Sequence, residues 1–169
     1  MLKKYLLISF LLLLVACGFH LRGSLTNGQN LTSKEWQVTG DADVAALVKK
    51  ELSWQYPKQI KFSESAPAKI DIKHVQFQKS MQSFNRYGRI DHAFYTLEVL
   101  VEITYQNRLW ADPMLIRLRR SLPYRGNSLV QESEEKGLED DMRREVAQDI
   151  VNRLSFLSTI SAGGPYLKQ

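Results

Sequence analysis

Few side chains in this chain of 169 residues are spaced for chemistry. Glu98 and Glu102 stand four apart on one face of an alternating segment, a spacing that could imitate an acid/base carboxylate pair. Such a pair needs one member raised in pKa by an apolar pocket. Arg117 and Arg119 on the next alternating segment offer a simpler role, as cross-strand partners of the two glutamates. His20, His74 and His92 are far apart, and none has a second ligand-type residue at helical metal spacing. One thiol is present, Cys17, so an intramolecular disulfide and a Cys-based zinc cluster are excluded. The sequence contains no G-x-S-x-G, no G-x-G-x-x-G, no phosphate-binding P-loop and no H-E-x-x-H. No enzyme is expected, and no metal or cofactor is called for.

Cys17 gains meaning from what precedes it. Lys3 and Lys4 form a positive start, Tyr5 to Val15 is an apolar run, and Ala16-Cys17 follows. Eleven helical residues span about 17 Å, well short of a hydrocarbon core of roughly 30 Å. Residues 1–16 therefore read as a signal peptide rather than a membrane-spanning helix. Leu14-Val15-Ala16-Cys17 resembles the bacterial lipobox, in which the thiol receives a diacylglyceryl group and the cysteine becomes the mature N-terminus. A secreted protein with an incidental cysteine is the plainer alternative. Gly18 stands where a retention signal would usually be Asp, so the lipobox resemblance implies sorting to the outer membrane. Three acyl chains, as in such lipoproteins, anchor far more firmly than one.

Without residues 1–16 the chain keeps 21 basic and 18 acidic side chains, a balance too mild to argue for nucleic acid. Hydrophobic residues make up 44%, enough for one real core and too many for general disorder. Residues 17–33 read as the lipidated cysteine and a tether rich in Gly, Ser, Thr and Asn. Residues 34–158 read as one domain, and 159–169 as a loose tail.

Within the domain, Trp36 and Val38 alternate with polar neighbours in a short strand broken at Gly40-Asp41. Asp41 is a good N-cap for a helix whose face is Val44, Leu47, Val48 and Leu52, ending before Pro57. Ile60 and Phe62 suggest a brief extended piece. Ile70 and Ile72, then Val75 and Phe77, slip phase around Lys73-His74, which predicts a β-bulge. Met81 to His92 reads as a polar connection. Tyr95 to Tyr105 alternates most clearly, turns at Gln106-Asn107-Arg108, and meets an antiparallel partner from Met114. Leu138, Met142, Val146, Ile150 and Leu154 mark a final helix of about 25 residues, weakened at Gly137. Six acids crowd its first half, where the helix dipole would favour them. Two amphipathic helices covering one face of a mainly antiparallel sheet of about four strands make an α+β two-layer sandwich.

The mature start Cys17-Gly18-Phe19-His20-Leu21-Arg22-Gly23 resembles the opening of the LptE (RlpB) family, and Lys136-x-x-Glu139-x-Asp141-Met142 is similar to the stretch leading into that family's last helix. The resemblance implies a non-enzymatic outer-membrane lipoprotein of the lipopolysaccharide translocon. Members plug the LptD β-barrel, assist its assembly and bind lipopolysaccharide. Ser83 to Arg89 is similar to an Arg- and Gly-containing connection of the family, which makes Arg86 or Arg89 the counterpart of its basic position. Lipid A carries phosphates, and Arg86, Arg89 and Lys136 are the candidates to bind them through charge-assisted hydrogen bonds. Lys136 is the single cation among six acids from Glu132 to Asp141, so relief of acidic repulsion is its plainer role. For the arginines that role is a solvated hairpin tip. A free-standing periplasmic-face lipoprotein binding peptidoglycan or another envelope component is the alternative function.

The lipobox reading has a direct test. The Cys17→Ser precursor should gain no lipid and stay uncleaved, and mass spectrometry of the wild-type chain should show fatty acid on Cys17. A wild-type chain without fatty acid overturns it.

Overall fold

The computed structural model describes residues 31, 33–57, 59–124 and 128–160, apart from the side chains of 81, 82 and 158–160. The signal peptide, Cys17 and most of the tether lie outside the described residues. Leu31 and Ser33, at the end of the expected tether, are buried: Leu31 joins the core, and the Ser33 carbonyl accepts the Trp36 Nε1–H at 2.9 Å.

Strand β1 (Glu35–Gly40) buries Trp36 and Val38 by simple alternation. Asp41 caps helix α1 (Ala42–Gln55), its Oδ1 accepting the Val44 N–H at 3.0 Å. The helix buries Val44, Ala45, Val48 and Leu52. It carries the chain back to the end where β1 began. β2 (Lys61–Phe62) therefore pairs parallel to β1 at Glu35 and Trp36. β3 (Ala68–Phe84) also pairs parallel to β1, along its other edge, because a helical crossover re-enters the sheet in the same direction. From β3 on, the pairing is antiparallel: β4 (Ile90–Tyr105) lies against β3, and β5 (Arg108–Leu109) and β6 (Met114–Pro123) share the far edge of β4.

The sheet is mixed and mainly antiparallel, as expected, but it has six strands rather than about four, in the order β2-β1-β3-β4-β5 with β6 also on β4. Two strands are only two residues long, too short to show a period, and the parallel pairs come from the crossover rather than from any pattern in β1. The bulge falls where the phase slip placed it, with Ile72 opposite Val101 and His74 opposite Leu100, leaving Lys73 extra. Gln106 and Asn107 both have positive φ, the two-residue turn that matches strand twist.

The expected polar connection from Met81 to His92 is mostly strand. β3 runs to Phe84 and β4 starts at Ile90, so the true turn is five residues. The ends of this ribbon lie beyond full helical cover, and without a dry side they show no alternation in sequence.

Helix α2 spans Ser128–Ile160, 33 residues and about 50 Å. It starts ten residues before its first expected apolar position. The six acids therefore follow its first turn, which holds none, and the dipole does not account for them. Its Met142, Val146, Ala147, Ile150, Val151 and Leu154 complete a core shared with α1 and one sheet face. Arg143, 17% exposed, ties the helices together: it reaches Glu139 at 2.6 Å, the capping Asp41 at 3.4 Å and Asp43 at 3.7 Å. Burial alone would lower the Arg143 pKa, and the three carboxylates outweigh it and push it up.

Two glycines make opposite predictions. Gly40 has φ +103°, and a Cβ there would lie 2.1 Å from the Ile72 carbonyl oxygen. Gly40→Ala should cost about 2–5 kcal/mol from backbone strain and overpacking. Gly137 is helical with nothing within 4 Å of a built Cβ, so Gly137→Ala should add about 1 kcal/mol and raise Tm by roughly 2–5 °C. Thermal melts of the two variants check both signs.

Candidate functional site

The long β3–β4 ribbon ends in a tip built around Asn85. Its Oδ1 accepts the backbone N–H groups of Tyr87 at 2.9 Å and Arg89 at 3.2 Å, while its own N–H donates to the Arg89 carbonyl at 2.8 Å. Gly88, at φ +71°, donates to the Asn85 carbonyl and closes the turn. This wrapping fixes the backbone and turns the side chains outward. Phe84 is 63% and Tyr87 71% exposed, and the Arg86 guanidinium lies 4.8 Å from the Tyr87 ring centre. Arg86 and Arg89 thus share one exposed tip with two aromatic rings, an arrangement suited to a ligand with both acidic and apolar parts.

Lys136 is exposed on α2 and is not part of that tip. Its neighbour Glu135 fixes its level on the ribbon. The Tyr95 hydroxyl donates to Glu135 Oε1 at 2.5 Å, Lys79 Nζ approaches the same oxygen at 2.8 Å, and Gln131 Nε2 donates to it at 3.2 Å. Lys79 and Tyr95 pair across β3 and β4. Six strand residues, about 20 Å, separate that rung from Asn85. The structure therefore brings Arg86 and Arg89 together and sets Lys136 lower on the hairpin.

The clamp at Glu135 was missed in sequence, where this residue is one of six neighbouring acids. Its signal is the apolar position opposite: Tyr95, fully buried, needs a partner for its hydroxyl. Burial would raise the Glu135 pKa, but the hydrogen bonds from Lys79, Tyr95 and Gln131 outweigh it and lower it. Burial first, and the bond to Glu135 next, push the Tyr95 phenol up.

The open face of the sheet carries a polar ladder. Asp71 accepts from Thr39 at 2.9 Å and meets Lys73 at 2.7 Å, and the bond to Lys73 is the main reason its pKa is lowered. Arg117 reaches Glu98 at 2.6 Å, as the spacing led one to expect. The second expected pair does not form. β6 begins at Met114 opposite Val101, so Glu102 has no β6 residue across from it and takes Lys73 at 3.4 Å. Arg119 stands opposite Thr96, its guanidinium 4.7 Å from the Phe94 ring centre. Ser80, Thr96, Glu98, Arg117 and Arg119 line a shallow depression there. His74 Nε2 meets Gln76, and His92 Nδ1 lies 3.2 Å from Asp91. Among the described residues no three His, Cys, Asp or Glu side chains converge as metal ligands, and no helix is long and apolar enough to cross a membrane.

Residues 20–154 match the model of the LptE family, described as lipopolysaccharide-assembly. The chain belongs to the LptE family. Solved structures share this fold. A lipoprotein B from Nitrosomonas europaea, 26% identical, superposes with a TM-score of 0.66 over 86% of this chain and 94% of that one. The rare lipoprotein B of Shewanella oneidensis gives 0.65 at 16% identity, over 75% of this chain and 97% of that one. A minor lipoprotein from Acinetobacter baumannii gives 0.60 at 16% identity, over 74% and 92%. The comparison with curated proteins returns no match.

For this LptE-family chain the Glu135 clamp predicts a pH dependence. A carboxylate with a lowered folded pKa contributes stability that is present above its unfolded pKa and lost as pH falls through the folded value. The urea midpoint should therefore drop below about pH 4.5, the ordinary glutamate range. Glu135→Gln should be less stable at neutral pH and show a shallower acid decline. An acid decline equal to that of wild type would remove Glu135 as a contributor.

Proposed function

We propose that this chain is a non-catalytic outer-membrane lipoprotein of lipopolysaccharide transport and assembly, acylated on Cys17, that plugs and helps assemble the LptD β-barrel and binds lipopolysaccharide. The observation that carries the reading is the family match over residues 20–154. Two features of the fold support it. A plug in a water-filled barrel needs a polar, internally paired surface, and the Thr39–Asp71–Lys73–Glu102 and Glu98–Arg117 ladder supplies one. Lipopolysaccharide joins phosphates to acyl chains, and the hairpin tip joins Arg86 and Arg89 to exposed Phe84 and Tyr87.

Lys136 belongs to the same proposal as a separate contact lower on the ribbon. Cations on an exposed surface bind phosphate in a salt-dependent way. Their loss should leave the fold intact, since exposed charges seldom contribute more than about 0.5 kcal/mol each.

Three experiments test the reading. Depleting the protein should lower the amount of correctly assembled barrel and admit large hydrophobic antibiotics, and affinity purification from detergent-solubilised outer membrane should return a stoichiometric large barrel. Unchanged barrel levels and no barrel in the eluate would favour the free-standing lipoprotein instead. Charge reversal of Arg86 and Arg89 together, and of Lys136 alone, should each weaken lipopolysaccharide binding. With all three reversed the loss should be about 1–3 kcal/mol, smaller at high ionic strength, with an unchanged melting curve. Wild-type affinity in the triple variant would place the ligand elsewhere.

A further inference from the structure

The domain has two ends, and the apolar side chains left exposed on it are not confined to the hairpin tip. At the opposite end Leu31 enters the core, Lys34 immediately precedes β1, and Lys61 donates its N–H to the Lys34 carbonyl at 2.8 Å. Helix α1 returns to this end, since Tyr56 is five residues from Lys61, which pairs with Glu35. α2 runs alongside: Gln55 Nε2 lies 3.4 Å from Asn152 Oδ1, and Tyr56 bonds Ser155. Trp54 and Phe156 therefore come out at one pole, 76% and 66% exposed. Leu109, half-exposed, is there as well, because Arg108 pairs with Tyr105 and Tyr105 with Ala68, beside Trp36.

Scattered surface hydrophobics need no explanation. These sit at the end through which the chain leads to Cys17. Fourteen residues separate Cys17 from Leu31, at most about 50 Å of extended chain. β3, 17 residues long, adds about 55 Å between this pole and the hairpin tip. An anchor on Cys17 thus joins the domain at the Leu31 pole and keeps that pole within about 50 Å of the bilayer. Lys34, Lys61 and Arg108 are exposed at the same pole, with Glu35 as an exposed acid between them.

We propose that this pole is a lipid-facing surface, on which Trp54 and Phe156 seat in the headgroup region of the leaflet that holds the anchor while Lys34, Lys61 and Arg108 meet anionic headgroups. The proposal rests on the Cys17 anchor of the preceding subsection. Tryptophan suits this depth, because its ring is apolar and its N–H still finds a polar partner. The contact lies on the membrane and does not cross it.

The chain carries its own reporter. Of its three tryptophans, Trp36 is fully buried and Trp110 is 4% exposed, stacked on Trp36 with ring centres 6.0 Å apart. Trp54 is the exposed one. The full acylated chain would be reconstituted into vesicles of phosphatidylethanolamine and phosphatidylglycerol with brominated acyl chains. Tryptophan emission should shift to the blue, lose its quenching by iodide and gain quenching by bromine. All three changes should vanish in Trp54→Phe, whose exposed position leaves the fold unaffected. Phe156→Ser should weaken them. A chain that floats with the vesicles but keeps red, iodide-quenched Trp54 emission overturns the lipid-facing pole alone. A chain that does not float overturns the anchor, and the pole with it.

Discussion

Every odd-numbered residue of β4 from Ala93 to Ile103 is buried, every even-numbered one from Phe94 to Thr104 is half-exposed, and this one-sided burial fixes the register of everything touching β4. A slip of one residue would turn Tyr95, Leu97, Val99, Val101 and Ile103 to water. Each such side chain contributes about 1.5–3 kcal/mol by burial, so the slip is prohibitive. Neighbouring strands adapt instead. β3 inserts Lys73 as a bulge so that Ile70 and Ile72 before it, and Val75 and Phe77 after it, all face the helices. β6 starts at Met114, and its alternation puts Ile116 in the core and Arg117 opposite Glu98.

Helix α2 follows from the same constraint. Its apolar stripe covers the dry face beside α1, and three polar ties set its position along the sheet. Arg143 meets the cap of α1 at Asp41, Arg120 of β6 reaches Glu145 at 2.6 Å, and Glu135 takes the Tyr95 hydroxyl. The Tyr95 tie holds the helix start against the ribbon at a level where the core cluster has ended, since Tyr95 packs on Phe77 and Lys79 rather than within it. A hydrogen-bonded carboxylate there does what apolar contact does lower down.

The proposed functional surfaces lie where dry-face burial stops. The hairpin tip projects past the helices with its aromatic rings and arginines, and the opposite pole exposes Trp54 and Phe156 around the end of the chain that leads to Cys17. Between them the wet face of the sheet pairs its own charges. A proposed anchor at one end, a polar flank and a basic aromatic tip at the other would suit the proposed plug, fixed at one leaflet with its ribbon running some 50 Å along the barrel.

The sequence by itself determined what short-range periodicity can encode: the α1 face and its Asp41 cap, the β4 alternation, the bulge at Lys73, the Arg117–Glu98 pair and the α+β class. Each is local, or repeats often enough to stand out. The family was legible too, in the Cys17–Gly23 opening and the stretch from Lys136. What only the tertiary structure decided was everything requiring two distant segments to meet. The parallel pairing of β1 depends on where α1 returns the chain, and β2 and β5 are too short to carry a pattern. The outer ribbon has no dry side to imprint alternation on residues 79–92. Glu135 looks like its acidic neighbours until Tyr95, forty residues away, brings a buried hydroxyl against it. Arg86 and Arg89 were readable as a basic connection, but their separation from Lys136 is set by the strand rise between Lys79 and Asn85, a length that exists only once those residues are paired in a sheet.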